Sequence, residues 1–143
     1  LNLKNTKFPK KLVVRSTTDN LSLIRKFTED AARESGFDET TVPKIVLAVD
    51  EACTNIIKHA YKNSPEGKIF ISISFHSSKF VVTITDNGKH FNPALVPEPN
   101  IKEYYKQRKV GGLGIYLIKK LMDEVNYSTF NDRNKVVLTK YLS

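Results

Sequence analysis

The run over residues 44–61, KIVLAVDEACTNIIKHAY, constrains the fold more than any other stretch. At 100° per residue, Ile45, Val49, Ala52, Cys53, Ile56 and Ala60 share one sector, so the spacing predicts a helix that buries a continuous apolar stripe. Glu51, Asn55 and His59 follow one another at i, i+4 and i+8 along the margin of that stripe. A carboxylate and a carboxamide are thus expected side by side, partly sheltered and about one helical turn apart. A plain core helix has no use for such a pair, whereas a hydrated cation beside a proton acceptor does. His59 reads as a polar margin residue rather than a ligand.

The rest of the chain supplies what that helix packs against. A strand is expected over 11–16. Thr17, Thr18 and Asp19 then cap a helix spaced on Leu21, Ile24, Phe27 and Ala31 and closed by Gly36. Asp38 to Thr41 opens the central helix, with Pro43 in its first turn, and Asn63-Ser64-Pro65 ends it near Tyr61. Ile69, Ile71, Ile73 and Phe75 alternate, as do Phe80, Val82 and Ile84, which predicts a hairpin turning at His76-Ser77-Ser78. Prolines 93, 97 and 99 exclude regular structure there, and residues 101–110 set Lys102, Lys106, Arg108 and Lys109 against the lone Glu103, as in a basic flap. A helix on Ile115, Leu117, Ile118, Leu121 and Met122 and two closing strands complete the chain. Strands grouped apart from helices argue for an α+β two-layer sandwich. Its sheet would be mixed but mostly antiparallel, with the helices on one face and the other face solvated or covered by a second chain.

The chain's 143 residues are enough for one domain with its own core, spanning 1–143. No apolar run approaches a membrane span and the first residues hold no signal-peptide core, so no membrane partner is expected. Cys53, the single cysteine, falls on the apolar stripe and fits a reducing, cytosolic setting as a small core residue. The net charge of +8 is spread along the chain rather than gathered into a basic helix or an aromatic-basic sheet motif. Direct nucleic-acid binding is therefore not expected, and the cations suit a small polyphosphate or an acidic protein.

Two further motifs carry chemistry. Asp86 ends a strand on the face of Phe80, Val82 and Ile84, so its carboxylate points toward the helix layer, where an unpaired charge is costly and a donor must meet it. Asn87-Gly88 after it would suit a hairpin, but Lys89-His90-Phe91-Asn92-Pro93 does not continue as an alternating strand. Gly111-Gly112-Leu113-Gly114 opens a helix, where bare backbone N–H groups and the helix dipole favour an anion such as phosphate. Neither the phosphate-loop nor the dinucleotide glycine pattern is present, and the eukaryotic-type protein-kinase motifs are missing.

Taken in order, DEACTNIIKHAY, DNGKHFNP and GGLGIYLIKKLMDEV resemble the nucleotide site of the gyrase, chaperone and histidine-kinase (GHKL) ATPase superfamily along nearly the whole chain. Within it they look like the anti-sigma-factor serine/threonine kinases, the RsbW-like proteins of bacterial stress and sporulation control. The resemblance implies a histidine-kinase-like ATPase domain that binds ATP or ADP with Mg²⁺. Glu51 would be the catalytic base and Asn55 the Mg²⁺ ligand. Asp86 would take the adenine amino proton, with Gly88 letting the base lie close. Gly111, Gly112, Leu113 and Gly114 would approach the phosphates, and Arg108 and Lys109 would neutralise them. It also implies a cytoplasmic bacterial homodimer that phosphorylates an anti-anti-sigma protein and alternately sequesters a sigma factor. Two alternatives stay open: a non-catalytic ATP-gated binding module, and the ATP-binding half of a histidine kinase, against which the lack of a phosphoacceptor helix before Lys11 speaks. Departures from the family are Lys89-His90 beside the base, the undecided Arg108-Lys109 pair, and Asp132-Arg133-Asn134 where Gly-Thr is frequent, which leaves the role of Thr139 open.

Overall fold

The computed structural model describes residues 7–90 and 113–143. Five strands, β1 (Lys10–Arg15), β2 (Lys68–His76), β3 (Lys79–Asp86), β4 (Glu124–Phe130) and β5 (Arg133–Tyr141), form one sheet in the order β1-β2-β3-β5-β4. Helices α1 (Leu21–Glu34), α2 (Val42–Asn55) and α3 (Leu113–Leu121) cover one of its faces. This is the expected two-layer sandwich, with one refinement: among the described residues every strand pairing is antiparallel.

Helix α2 lies between α1 and α3, which explains why its apolar stripe is so broad. Val42, Ile45, Ala48, Val49, Ala52 and Cys53 are all buried, and each fully buried Ile or Val stabilises the fold by about 1.5–3 kcal/mol. The helix starts where expected because Asp38 organises the turn before it: its Oδ1 accepts the N–H groups of Thr40 at 3.2 Å and Thr41 at 2.8 Å. Gly36, with φ of 103°, terminates α1 as only glycine does readily.

The inward sheet face is read directly from alternation. Ile69, Ile71 and Ile73 of β2 meet Phe80, Val82 and Ile84 of β3, and all six are buried under the helices. The hairpin turn is tighter than expected: His76 pairs with Lys79, leaving Ser77 and Ser78 as a two-residue turn with φ of 52° and 62°. Asn131 and Asp132, at 47° and 64°, do the same between β4 and β5, and such left-handed pairs match the twist of the strands they join. Val13, Phe70, Phe130 and Tyr141 stand exposed on the opposite face.

Candidate functional site

Glu51 and Asn55 are both half-buried on the edge of α2 that faces the first turn of α3. A Cβ added to Gly114 would lie 2.6 Å from Glu51 Oε2 and 3.6 Å from Asn55 Oδ1, so the glycine admits the carboxylate to that position. Burial pushes the Glu51 carboxyl up, the negative charge of Asp50 pushes it further, and Lys58 opposes both. Asp50 itself is held by Arg25 of α1 at 2.9 Å.

Beyond Asn55 the helix changes character. Residues Ile56–Ala60 form a π-turn, in which the Tyr61 N–H donates to the Ile56 carbonyl at 3.0 Å. The expected α-helix to Tyr61 therefore stops at Asn55. The wider turn breaks the i, i+4, i+8 line, and His59 is exposed. The same turn presents the Ala60 carbonyl to the Lys89 N–H at 2.7 Å. Gly88 packs on it so closely that a Cβ there would lie 2.7 Å from the Ala60 oxygen. Tyr61 completes the junction, its hydroxyl accepting the Asn87 N–H at 2.8 Å and donating to the Lys68 carbonyl at 2.7 Å.

Asp86, the last residue of β3, is only 2% exposed and points into the helix layer as alternation requires. Its donors are now identified: Oδ1 accepts the Gly88 N–H at 2.9 Å and Asn134 Nδ2 at 2.8 Å. Burial pushes this carboxyl above the ordinary range, against the pull of those two bonds and of His90. In front of it opens a cleft of about 450 Å³, lined by Ala52, Asn55, Ile56 and Ala60 on the helix side and by Asp86, Tyr127, Asn134 and Val136 on the sheet side. Burial pushes the Tyr127 hydroxyl up to about 12, so it stays protonated. An apolar slot ending in a few polar groups suits a flat heteroaromatic ring with an amino substituent.

Asn55 and Asp86 thus line one cleft, and Glu51 and Gly114 meet beside Asn55. Arg108, Lys109, Gly111 and Gly112 lie outside the described residues, as do the proline-rich stretch and the basic flap, and only the backbone of Leu113 is described. Thr139 is on the wrong side for a base: it pairs with Val81, one step out of phase with Asp86, and so faces the opposite sheet surface. The partner that faces Asp86 across the strands is Asn134. Asn134 and Tyr61 are the site residues that sequence reasoning missed. The signal for Asn134 was its place in Asp132-Arg133-Asn134 at the start of the last strand, the stretch already marked as a departure. Among the described residues no cluster of three metal-ligating side chains occurs. Magnesium in nucleotide sites rests on one or two protein oxygens with phosphate and water, and the Asn55 carboxamide can supply one.

The family model described as a histidine kinase-like ATPase domain matches residues 14–140. The serine-protein kinase RsbW of Listeria monocytogenes is 32% identical over 127 residues, 86% of this chain and 80% of that protein. The RsbW of Bacillus subtilis is 29% identical over 99% of this chain and 90% of its own length. Among solved structures, the RsbU and RsbW domains of a Mycobacterium tuberculosis protein superpose with a TM-score of 0.68 at 17% identity, over 94% of this chain and 32% of that one. A histidine kinase domain from Erythrobacter litoralis gives 0.54 at 18% identity, over 85% of this chain and 60% of that one. With the acid-amide helix edge, the buried strand-end aspartate and this similarity in hand, the chain belongs to the histidine kinase-like ATPase family and, within it, to the RsbW serine-protein kinases.

Proposed function

We propose that the chain is an ATP-dependent protein-serine kinase that acts as an anti-sigma factor, phosphorylating an anti-anti-sigma antagonist and sequestering a sigma factor in turn. The observation that carries it is the contact of Glu51 with Gly114 beside Asn55, at the mouth of the cleft that Asp86 closes. Adenine in the cleft would donate its amino proton to Asp86. The carboxamide oxygen of Asn55 would ligate Mg²⁺, which supplies charge neutralisation to the phosphates when bound. Glu51 is the acceptor for the proton of the attacking seryl hydroxyl. That oxygen bonds to the γ-phosphorus, the bond from the γ-phosphorus to the β,γ-bridging oxygen breaks, and ADP departs. Burial makes Glu51 a stronger proton acceptor than an ordinary carboxylate, which supports the role. Arg108, Lys109, Gly111, Gly112, Leu113 and Gly114 take the phosphate side in this reading.

The same reading places the protein in the bacterial cytoplasm as a homodimer, with the exposed Val13, Phe70 and Tyr141 face open to a second copy. No helix among the described residues is long and apolar enough to cross a membrane.

Incubation of the purified chain with γ-labelled ATP, Mg²⁺ and the antagonist should yield phosphoserine on the antagonist. Glu51→Ala should abolish the transfer while ADP still binds. Nucleotide binding without any phosphoserine from the wild-type chain would reduce the protein to an ATP-gated binding module.

A further inference from the structure

Among the described residues, Asn134 is the most heavily engaged polar side chain around the cleft. Its Nδ2 donates to Asp86 Oδ1 at 2.8 Å and lies 3.2 Å and 3.3 Å from the carbonyls of Gly88 and Lys89. Its Oδ1 sits 2.6 Å from His90 Nδ1. The orientation of the amide follows from chemistry, because the reverse one would set an oxygen against a carboxylate and two carbonyls. It also fixes the imidazole: an amide oxygen only accepts, so His90 Nδ1 carries the proton and donates it to Asn134.

We propose that Asn134, itself locked by His90, is a positioning residue that sets the purine selectivity of the cleft by fixing how Asp86 presents its carboxylate. The inference rests on the preceding reading that Asp86 accepts the 6-amino group of adenine. Among the described residues both donors to Asp86 go to Oδ1, which leaves Oδ2 for the base. With Oδ1 held from two directions the carboxylate does not rotate, and both bonds favour its ionised form against the burial that pushes its pKa up. Its remaining oxygen is then an acceptor only. Adenine offers a donor at position 6, while a 6-oxo purine sets acceptor against acceptor. Without Asn134 the carboxyl is free to turn and to protonate, and a protonated carboxyl donates to a 6-oxo group as well as an ionised one accepts from an amino group.

The test is calorimetric titration of the full chain with ADP and with inosine diphosphate, which differs at position 6. Wild type is expected to favour ADP by about 100-fold, the order a hydrogen-bonding site achieves against a mismatched partner. Asn134→Ala should bring that ratio below about 10, chiefly by weakening ADP. His90→Ala removes an exposed side chain, keeps the donation to Asp86 and frees the amide, so it should lower the ratio by about threefold. Asn134→Ser serves as a second variant if the alanine form does not fold. Equal weakening of both nucleotides, with the ratio unchanged in the Asn134 and His90 variants, assigns these residues a structural role only and overturns the proposal. Failure of the wild type to bind either nucleotide is a different result, and it sinks the nucleotide reading itself.

Discussion

Gly114 lies against Glu51, so closely that a methyl group at position 114 would come within 2.6 Å of Glu51 Oε2. The atom it meets is the far end of a flexible side chain, which can swing aside. With Glu51 as the proposed base, Gly114→Ala should therefore leave the melting temperature nearly unchanged yet lower phosphoryl transfer by about tenfold or more, because the displaced carboxylate would no longer reach the seryl hydroxyl. ADP affinity of the Gly114→Ala chain should fall far less than its transfer rate; an equal fall in both would place the loss on the phosphate side rather than on Glu51.

Acid should silence the kinase earlier than an ordinary carboxylate base would allow. Burial and the charge of Asp50 raise the Glu51 carboxyl above the usual carboxylate range, so the group is protonated, and unable to accept the seryl proton, up to a higher pH. The rate should climb with pH along a limb whose midpoint lies above that of an ordinary glutamate. Asp50→Asn removes the neighbouring charge and should move that limb to lower pH. A pH–rate profile of kcat for wild type and this variant reads the difference.

Gly88 contrasts with Gly114. Its absent Cβ would meet the Ala60 carbonyl oxygen at 2.7 Å, and that atom belongs to backbone fixed by the π-turn. Neither side can yield without moving α2 or the segment after β3. Gly88→Ala should cost about 1–3 kcal/mol of stability, the usual penalty of overpacking, and urea unfolding measures it.

Much of this was legible in the sequence because period alone sets which side a residue faces. The stripe of Ile45, Val49 and Cys53 and the alternation of Phe80, Val82 and Ile84 placed α2 and β3, and with them Glu51, Asn55 and Asp86, without any long-range information. What stayed hidden depends on contacts between distant segments. Asp86 pairs with Asn134, 48 residues away, only because β5 inserts between β3 and β4, and local pattern does not encode strand order. The shift of one residue that sends Thr139 to the far face belongs to the same register. The π-turn is a property of backbone hydrogen bonding at Ile56 and Tyr61, and the apolar spacing of Ile56 and Ala60 reads equally well as α-helix.

Asp86 is held in place at some expense to the apo fold. Burial raises its folded pKa above the unfolded value, so the folded state retains its proton to higher pH. That term therefore favours folding in acid and fades as pH rises from about 3.9 through the raised folded value. Asp86→Asn keeps an oxygen for the Gly88 and Asn134 donors and removes the buried charge. At pH 7 it should raise the apo melting temperature by about 2–4 °C, while ADP affinity falls by about 100-fold. Differential scanning calorimetry with and without ADP tests both halves. A variant destabilised in the apo state would mean that the two hydrogen bonds to Oδ1 outweigh the burial of its charge.

Tyr61 joins three segments through one oxygen: its ring covers Gly67, and its hydroxyl bridges Asn87 and Lys68. Tyr61→Phe preserves the ring packing and deletes only the bridge, leaving one N–H and one carbonyl to find water. The net cost should be about 1 kcal/mol, seen as a lower urea midpoint with an unchanged slope. Because the Asn87 N–H lies next to Asp86, the same variant loosens the segment that closes the cleft, and ADP should bind several-fold more weakly. If the midpoint falls while ADP affinity holds, the Ala60–Lys89 bond alone fixes that segment, and the hydroxyl serves stability rather than the site.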